Sequence, residues 1–442
     1  LLPTEILCTI FELSTVGLAI YTPGVTSSLN TQLETHRRTP NTSPIRGQPL
    51  FYHTESVALP SYKSTLRHCI AISHVCRTWR YIAVDMPNFW TGIYLCHRAF
   101  LSKDYHDHEA AEMTSTFLSR SGKSPLHLDI TFAPPDARLG LSWIQKTRYE
   151  ESIRRVLFSH IGRCQSLRVE SDEFIITTIL DLFLDFNLSP SNNSVYTPLS
   201  RLHLAKTISA SPVVSDPPDY GHQQPTFPPD LSVVAPHLTH LYVDGVQVAV
   251  FPRWSLERLY LTDLFVSYQN HFHIFMKTRV TTLVLHRVTI PGGIPYVRQI
   301  LTYHPSSVTS LRLSELRCAG PENEHQDIYA LFFTLTPYRT LHDLELCGLS
   351  EDAMYGLTRM LMSNSELVFS EMRLLTLRNV KLIDTMVVPL TNATPGLNGL
   401  VLDSVGGGSR LLEVWRRHPG IWPQMTEVSM GEGESVQVRN GR

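Results

Sequence analysis

The chain has 442 residues, of which 43% are hydrophobic and 18% charged. Its 38 Lys and Arg against 40 Asp and Glu leave a formal charge of -2, which excludes a global basic field for nucleic acid or anionic lipid. The length accommodates two or three domains, or one small domain followed by a repeat array.

Cys8, Cys69, Cys76, Cys96, Cys164, Cys318 and Cys347 are odd in number, widely spaced and without a CxxC pair. That excludes a disulfide framework or zinc knuckle and points to a reducing compartment, cytoplasmic or nuclear. No secretory signal opens the chain. It begins on Leu1 without an initiator methionine, which reads as a fragment, a processed form or an incomplete gene model.

The first element is LLPTEILCTIFEL. Pro3 suits the first turn of a helix, and Glu5 suits its dipole. Ile6, Leu7, Ile10, Phe11 and Leu13 then form one apolar stripe. Residues 22–64 carry five Pro, seven Thr and six Ser and read as a loop or disordered insert. From Cys69 the spacing of Ile72, Val75, Cys76, Trp79, Ile82 and Ala83 predicts a second helix, stopped by Asp85 and Pro87. Phe89 and Trp90 supply an apolar anchor at its exit.

These residues, in this order, resemble an F-box. The matching elements are Leu2, Pro3, Glu5, Ile6, Leu7, Ile10 and Phe11; then Val75, Cys76, Arg77, Trp79 and Arg80; then Pro87, Phe89 and Trp90. About 45 residues carry the likeness. The following TGIYL and FLSRSGKSPLHLDI (117–130) resemble the continuation found in mushroom-type fungal F-box proteins. The resemblance implies a small all-α, three-helix module that packs on a Skp-type adaptor and, through it, joins a cullin–RING ubiquitin ligase. It assigns adaptor contacts to Leu2, Pro3, Ile6, Leu7, Ile10, Phe11, Val75, Cys76 and Trp79. Burying five or six such anchors at about 1.5–3 kcal/mol each would hold a partner helix. A family F-box has only a few residues where this chain has the 22–64 insert, so the insert either loops out or marks a retained intron.

The apolar run at 174–188 is short for a membrane span and holds Asp181 and Asp185, so it reads as a buried or amphipathic helix. From residue 164 onward one pattern recurs. L-x-x-L-x-L occurs strictly at Leu199/Leu202/Leu204, Leu256/Leu259/Leu261, Leu341/Leu344/Leu346 and Leu397/Leu400/Leu402. Relaxed copies occur at Leu238/Leu241/Val243, Val280/Leu283/Leu285, Val308/Leu311/Leu313, Met372/Leu375/Leu377 and Met425/Val428/Met430. Their spacing averages about 27 residues, inside the leucine-rich-repeat range of roughly 20–29. PYVRQILTYH, DIYALFFTLT, EDAMYGLTRMLMS and SRLLEVWRRH are the intervening helix candidates. A Pro-rich loop falls at 211–229.

The expected organisation is α/β: an F-box-like domain over 1–95, a connecting segment over 96–163, and an irregular leucine-rich-repeat solenoid over 164–442 with parallel strands on its concave face. A plain α/β domain with leucine-rich strands is the alternative. His203, Tyr242, Tyr260, Arg312, Glu345 and Thr376 would point out along that face, with Tyr242, Tyr260, Arg312 and Glu345 as candidate partner anchors.

No P-loop, GxGxxG, HExxH or GxSxG motif occurs, so neither an enzyme nor a cofactor or metal site is expected. HDHE (106–109) reads as a surface loop, and His271 and His273 as a satisfied or exposed pair. Gly406–Gly408 reads as a tight turn, with an anion seat at a helix start as the other option. The expected role is a substrate-recognition adaptor of an SCF-type (Skp–cullin–F-box) ligase with an unknown protein target. The alternative is a leucine-rich-repeat scaffold that recruits no ligase.

Overall fold

A computed structural model describes residues 6–9, 62–96, 108–132, 143–189, 197–207, 231–246, 255–264, 279–290, 307–318, 340–363, 368–430 and 434–437. The chain divides into two compact units, 1–131 and 132–442.

In the first unit, residues 6–9 are helical. The helical spacing after Cys69 resolves into two helices, Tyr62–Ser73 and Arg77–Asp85, and not the single one expected. Their junction is bonded on both sides. The Ser73 hydroxyl donates to the Ile70 carbonyl at 2.7 Å, and Arg80 Nε to the Ser73 carbonyl at 3.1 Å, while Cys76 is extended. A Ser side chain that competes for backbone acceptors, and an Arg that closes the last turn, are sufficient to end the first helix there. Tyr62–Ser64, assigned from sequence to the insert, form the first turn of helix Tyr62–Ser73.

Pro87 opens a 3-10 turn, Pro87–Trp90, which delivers Phe89 and Trp90 into the core. Trp90 is 1% exposed, donates from Nε1 to the Ala83 carbonyl at 2.6 Å and stacks on Phe117 at 5.4 Å. The Arg120 guanidinium lies 4.9 Å from its ring centroid, a cation–π contact. Cys69 donates to the Phe89 carbonyl, and burial pushes its thiol up to about 12. It is therefore an inert core residue. Strand β1 (Gly92–Cys96) pairs in parallel with β2 (Leu126–Thr131), with helix His108–Arg120 between them in sequence. Residues 1–95 are therefore not all-α as expected, because β1 begins at Gly92.

The second unit opens with helix Trp143–Leu157, followed by β3 (Cys164–Ser171), helix Glu173–Leu188 and β4 (Arg201–Lys206). The Asp172 carboxylate accepts from the Ile175 N–H and caps the long apolar helix. Next come β5 (His240–Asp244), β6 (Ser255–Thr262), β7 (Arg279–His286), β8 (Thr289–Ile290), β9 (Ser310–Ser314), β10 (Arg317–Cys318) and β11 (Asp343–Cys347). Helix Glu351–Ser363, β12 (Leu374–Arg378), helix Asp384–Ala393, β13 (Gly399–Asp403), helix Gly408–Arg417, β14 (Glu427–Met430) and β15 (Glu434–Gln437) complete the described elements. The two carboxy-terminal helix candidates thus form at the expected places. PYVRQILTYH, DIYALFFTLT, the Pro-rich loop at 211–229, His271 and His273 lie outside the described residues.

Within this unit the main sheet runs β3-β4-β5-β6-β7-β9-β11-β12-β13-β14-β15, open and parallel until the antiparallel last pair. β8 and β10 pair separately. The L-x-x-L-x-L positions face one way. In every main-sheet strand from β3 to β13, the middle and last residues of the motif are at most 4% exposed. At about 1.5–3 kcal/mol per fully buried aliphatic chain, this layer dominates the unit's stability.

The register is fixed by a feature absent from that pattern. The residue after each of β5, β6, β7, β9, β11, β12 and β13 takes a left-handed backbone: Gly245, Asp263, Arg287, Glu315, Gly348, Asn379 and Ser404. The N–H of six of them donates to the carbonyl of the last strand residue in the next repeat, as in Gly245 to Thr262, Arg287 to Ser314 and Asn379 to Asp403. Each turn therefore sets the next strand's register. Gly407, at φ +80°, is a second kind of turn: a Cβ there would sit 2.2 Å from the Leu382 carbonyl oxygen. Gly406–Gly408 is a tight turn bonded to residues 380–382, not an anion seat.

Candidate functional site

The strand side chains opposite the leucines make a continuous polar and aromatic face. Strand pairing aligns Arg168, His203, Tyr242, Tyr260, Val284, Arg312, Glu345, Thr376 and Val401 in one lateral row. All four predicted anchors, Tyr242, Tyr260, Arg312 and Glu345, lie in it, so residues up to 103 positions apart in sequence (242 to 345) share one line.

Adjacent strands are about 4.8 Å apart, so neighbours in the row cover one another. Tyr242 stacks on Tyr260 with centroids 4.5 Å apart, and His203 packs against Tyr242 at 5.7 Å. His203 and Tyr242 are each 7% exposed, and Thr376 is 6%, much less open than outward-pointing residues were expected to be. Burial, assisted by Arg168, drives the His203 imidazole down to about 3, so it is neutral at any physiological pH. Burial and the neighbouring Tyr260 raise the Tyr242 phenol, which stays protonated.

The β9–β12 portion is ionic. Glu345 bridges two cations, with Arg312 Nε at 2.5 Å and Arg378 Nε at 3.7 Å. Its side chain is 12% exposed, so the bridge is partly desolvated and stronger than a surface pair. At the carboxyl ends of β5 and β6, burial and the adjacent Asp263 raise the Asp244 carboxyl to about 6. Arg287 pairs with Asp263 and partly opposes that rise.

The amino-proximal unit presents a different surface. Of the predicted adaptor contacts, Ile6 is 45% exposed, Val75 60% exposed and Cys76 exposed, while Trp79 is half-buried. Leu7 is only 6% exposed and belongs to the core. Leu2, Pro3, Ile10 and Phe11 lie outside the described residues. Tyr81, which the sequence pattern did not single out, is 73% exposed on the same helix as Trp79.

Among the described residues no group of His, Cys, Asp and Glu is placed to hold a metal, and no helix is long and apolar enough to cross a membrane. The described residues define an α/β protein with an open, largely parallel sheet, one side of which is lined by leucines and the other by polar and aromatic side chains. Comparison with known proteins adds no family: no family model matches the chain, and no curated protein matches it significantly.

Proposed function

We propose that this chain is a substrate-recognition adaptor of an SCF-type ubiquitin ligase. In this reading residues 1–95 are an F-box that docks a Skp-type adaptor. Residues 164–442 are an irregular leucine-rich-repeat solenoid, its leucine-free face holding a target protein. The chain itself performs no chemistry, needs no cofactor and works in the cytoplasm or nucleus.

The observation that carries the reading is the exposure of large apolar side chains on the short F-box-like helices. Ile6, Val75 and Tyr81 stand in water while Phe89 and Trp90 fill the core beneath. Solvent-exposed Val and Ile beside a packed core suit a groove that accepts or donates a helix. The repeated strand and left-handed turn supports the solenoid half, since each unit buries its leucines only by stacking on the next.

The test is co-purification of the full chain with a Skp-type adaptor. Ile6→Glu combined with Val75→Glu places charges in the docking surface without emptying the core, and is expected to lower adaptor capture at least about tenfold with the melting transition retained. Equal capture by the folded double variant would reject the ligase reading. It would leave a leucine-rich-repeat scaffold whose F-box recruits no ligase.

A further inference from the structure

We infer that the β4–β7 end of the polar face receives an acidic segment of a partner protein, its Asp and Glu side chains meeting Arg201, Arg258 and Arg279. This rests on the target-binding half of the proposal above and names the chemistry of that target.

The inference comes from the strand starts. Register brings Arg201, His240 and Arg258 side by side on three successive strands, while Arg279 opens the fourth strand three residues before Thr282, the register partner of Arg258. At about 4.8 Å per strand, Arg201 and Arg258 are roughly 10 Å apart at their Cα atoms; successive outward residues of an extended peptide are about 7 Å apart, and the long Glu and Arg side chains span the difference. One carboxylate reaches this group. Glu257 lies 3.8 Å from His240 Nε2 and 3.7 Å from Arg258 Nε. Arg201 and Arg279 are exposed and form no ion pair among the described residues. Among the described residues one carboxylate, Glu257, therefore serves these three arginines.

The same edge has the opposite sign further along. At the starts of β11–β14 stand Asp343, Glu371 and Glu427 against Arg373, with Glu371 3.2 Å from His342 Nε2. In and beside the central row Arg312 and Arg378 share the Glu345 carboxylate. Among the described residues the strand-start edge thus carries an excess of arginine at β4–β7 and an excess of carboxylate at β11–β14. The arginine end also lies beside the stacked Tyr242 and Tyr260, rigid aromatic rings of the kind that anchor protein partners. Complementary carboxylates supplied by a partner would complete the group.

The experiment titrates the full chain against a fluorescent peptide of alternating Glu and Gly, and against the same peptide with Gln for Glu. The Glu peptide is expected to bind at least about tenfold more tightly, and more weakly as salt rises. R201S with R258S should lose about tenfold in affinity, R201K with R258K should recover most of it, and R416S, on the exposed side of helix Gly408–Arg417, should change it less than about twofold. Failure of the Glu peptide to bind, equal binding of the two peptides, or an unchanged R201S/R258S variant overturns the inference. So does a polyanionic oligonucleotide that displaces the Glu peptide at lower concentration than unlabelled Glu peptide does. Adaptor capture by the same variants reads the ligase proposal separately: retained capture with lost peptide binding keeps that proposal, and retained peptide binding with no capture rejects it alone.

Discussion

The two ends of the polar face solve the same packing problem with different chemistry. Across β4–β6, neighbouring strands meet through rings: Tyr242 stacks on half-buried Tyr260 and packs against His203, and His203 and Tyr242 are nearly dry. Across β9–β12 they meet through charge, with Glu345 between Arg312 and Arg378. Stacked rings gain from lost water and are insensitive to salt and pH. A partly buried ion bridge depends on both. A parallel sheet therefore does not dictate what its open face is made of; the leucine side carries the fold and leaves that face free to diverge.

The sharpest way to break this contrast is Tyr242→Ala, which removes the centre of the ring stack. We expect a loss of about 2–4 kcal/mol by urea unfolding, unchanged by added salt. A loss below about 0.5 kcal/mol would mean that the stack does not contribute. Glu345→Ala should cost less, about 1–3 kcal/mol, because it leaves two guanidinium groups facing each other. That loss should shrink as salt rises, and a salt-independent cost would show that packing, not charge, holds the β9–β12 end together.

Asp244→Asn is the smallest expected effect, and it is stabilising. Asp244 faces Asp263, with Arg287 and Glu170 nearby, and its carboxyl is raised from 3.8 to about 6. The folded chain therefore holds this proton more tightly than the unfolded chain. Stability falls as pH rises from about 4 to about 6 and is flat above. With partial exposure and screening, the penalty is about 1 kcal/mol. The Asn variant should exceed the parent by that amount at pH 7.5 and equal it near pH 4, as read by thermal unfolding at both values. A pH-independent difference would remove the carboxyl pair as its cause.

Much of this was visible in the sequence, because one side of a strand is read by leucine spacing. Leu199, Leu202 and Leu204 specify β4 by themselves, and the helices at 351–363 and 408–417 fall where the periodicity puts them. Three features were not visible. The break at residues 74–76 depends on the Arg80 side chain reaching back to Ser73, which helical spacing does not encode. The left-handed position after these strands is occupied by Gly and Asn, but also by Arg287 and Glu315, which have no preference for that backbone. The cationic group at 201, 240, 258 and 279 appears only after the register is known, since regular alternation does not reveal which residues become lateral neighbours. The helices of the first unit were the reverse case. Their residue types were conspicuous, yet the burial of Leu7 beside the exposure of Ile6 and Tyr81 required the packing.

The left-handed turns have a further consequence. The constraint on each strand lies in a short passage at its end, where one N–H reaches the next repeat. Successive turns from Gly245 to Asn379 are 18 to 33 residues apart, and still make the same bond. The connecting segments are therefore exempt from keeping step. They can lengthen, shorten or change composition through insertion and deletion without shifting a strand, since closing a longer loop costs little more than closing a short one. The molecule can acquire new surface between strands while its ruled face stays in place.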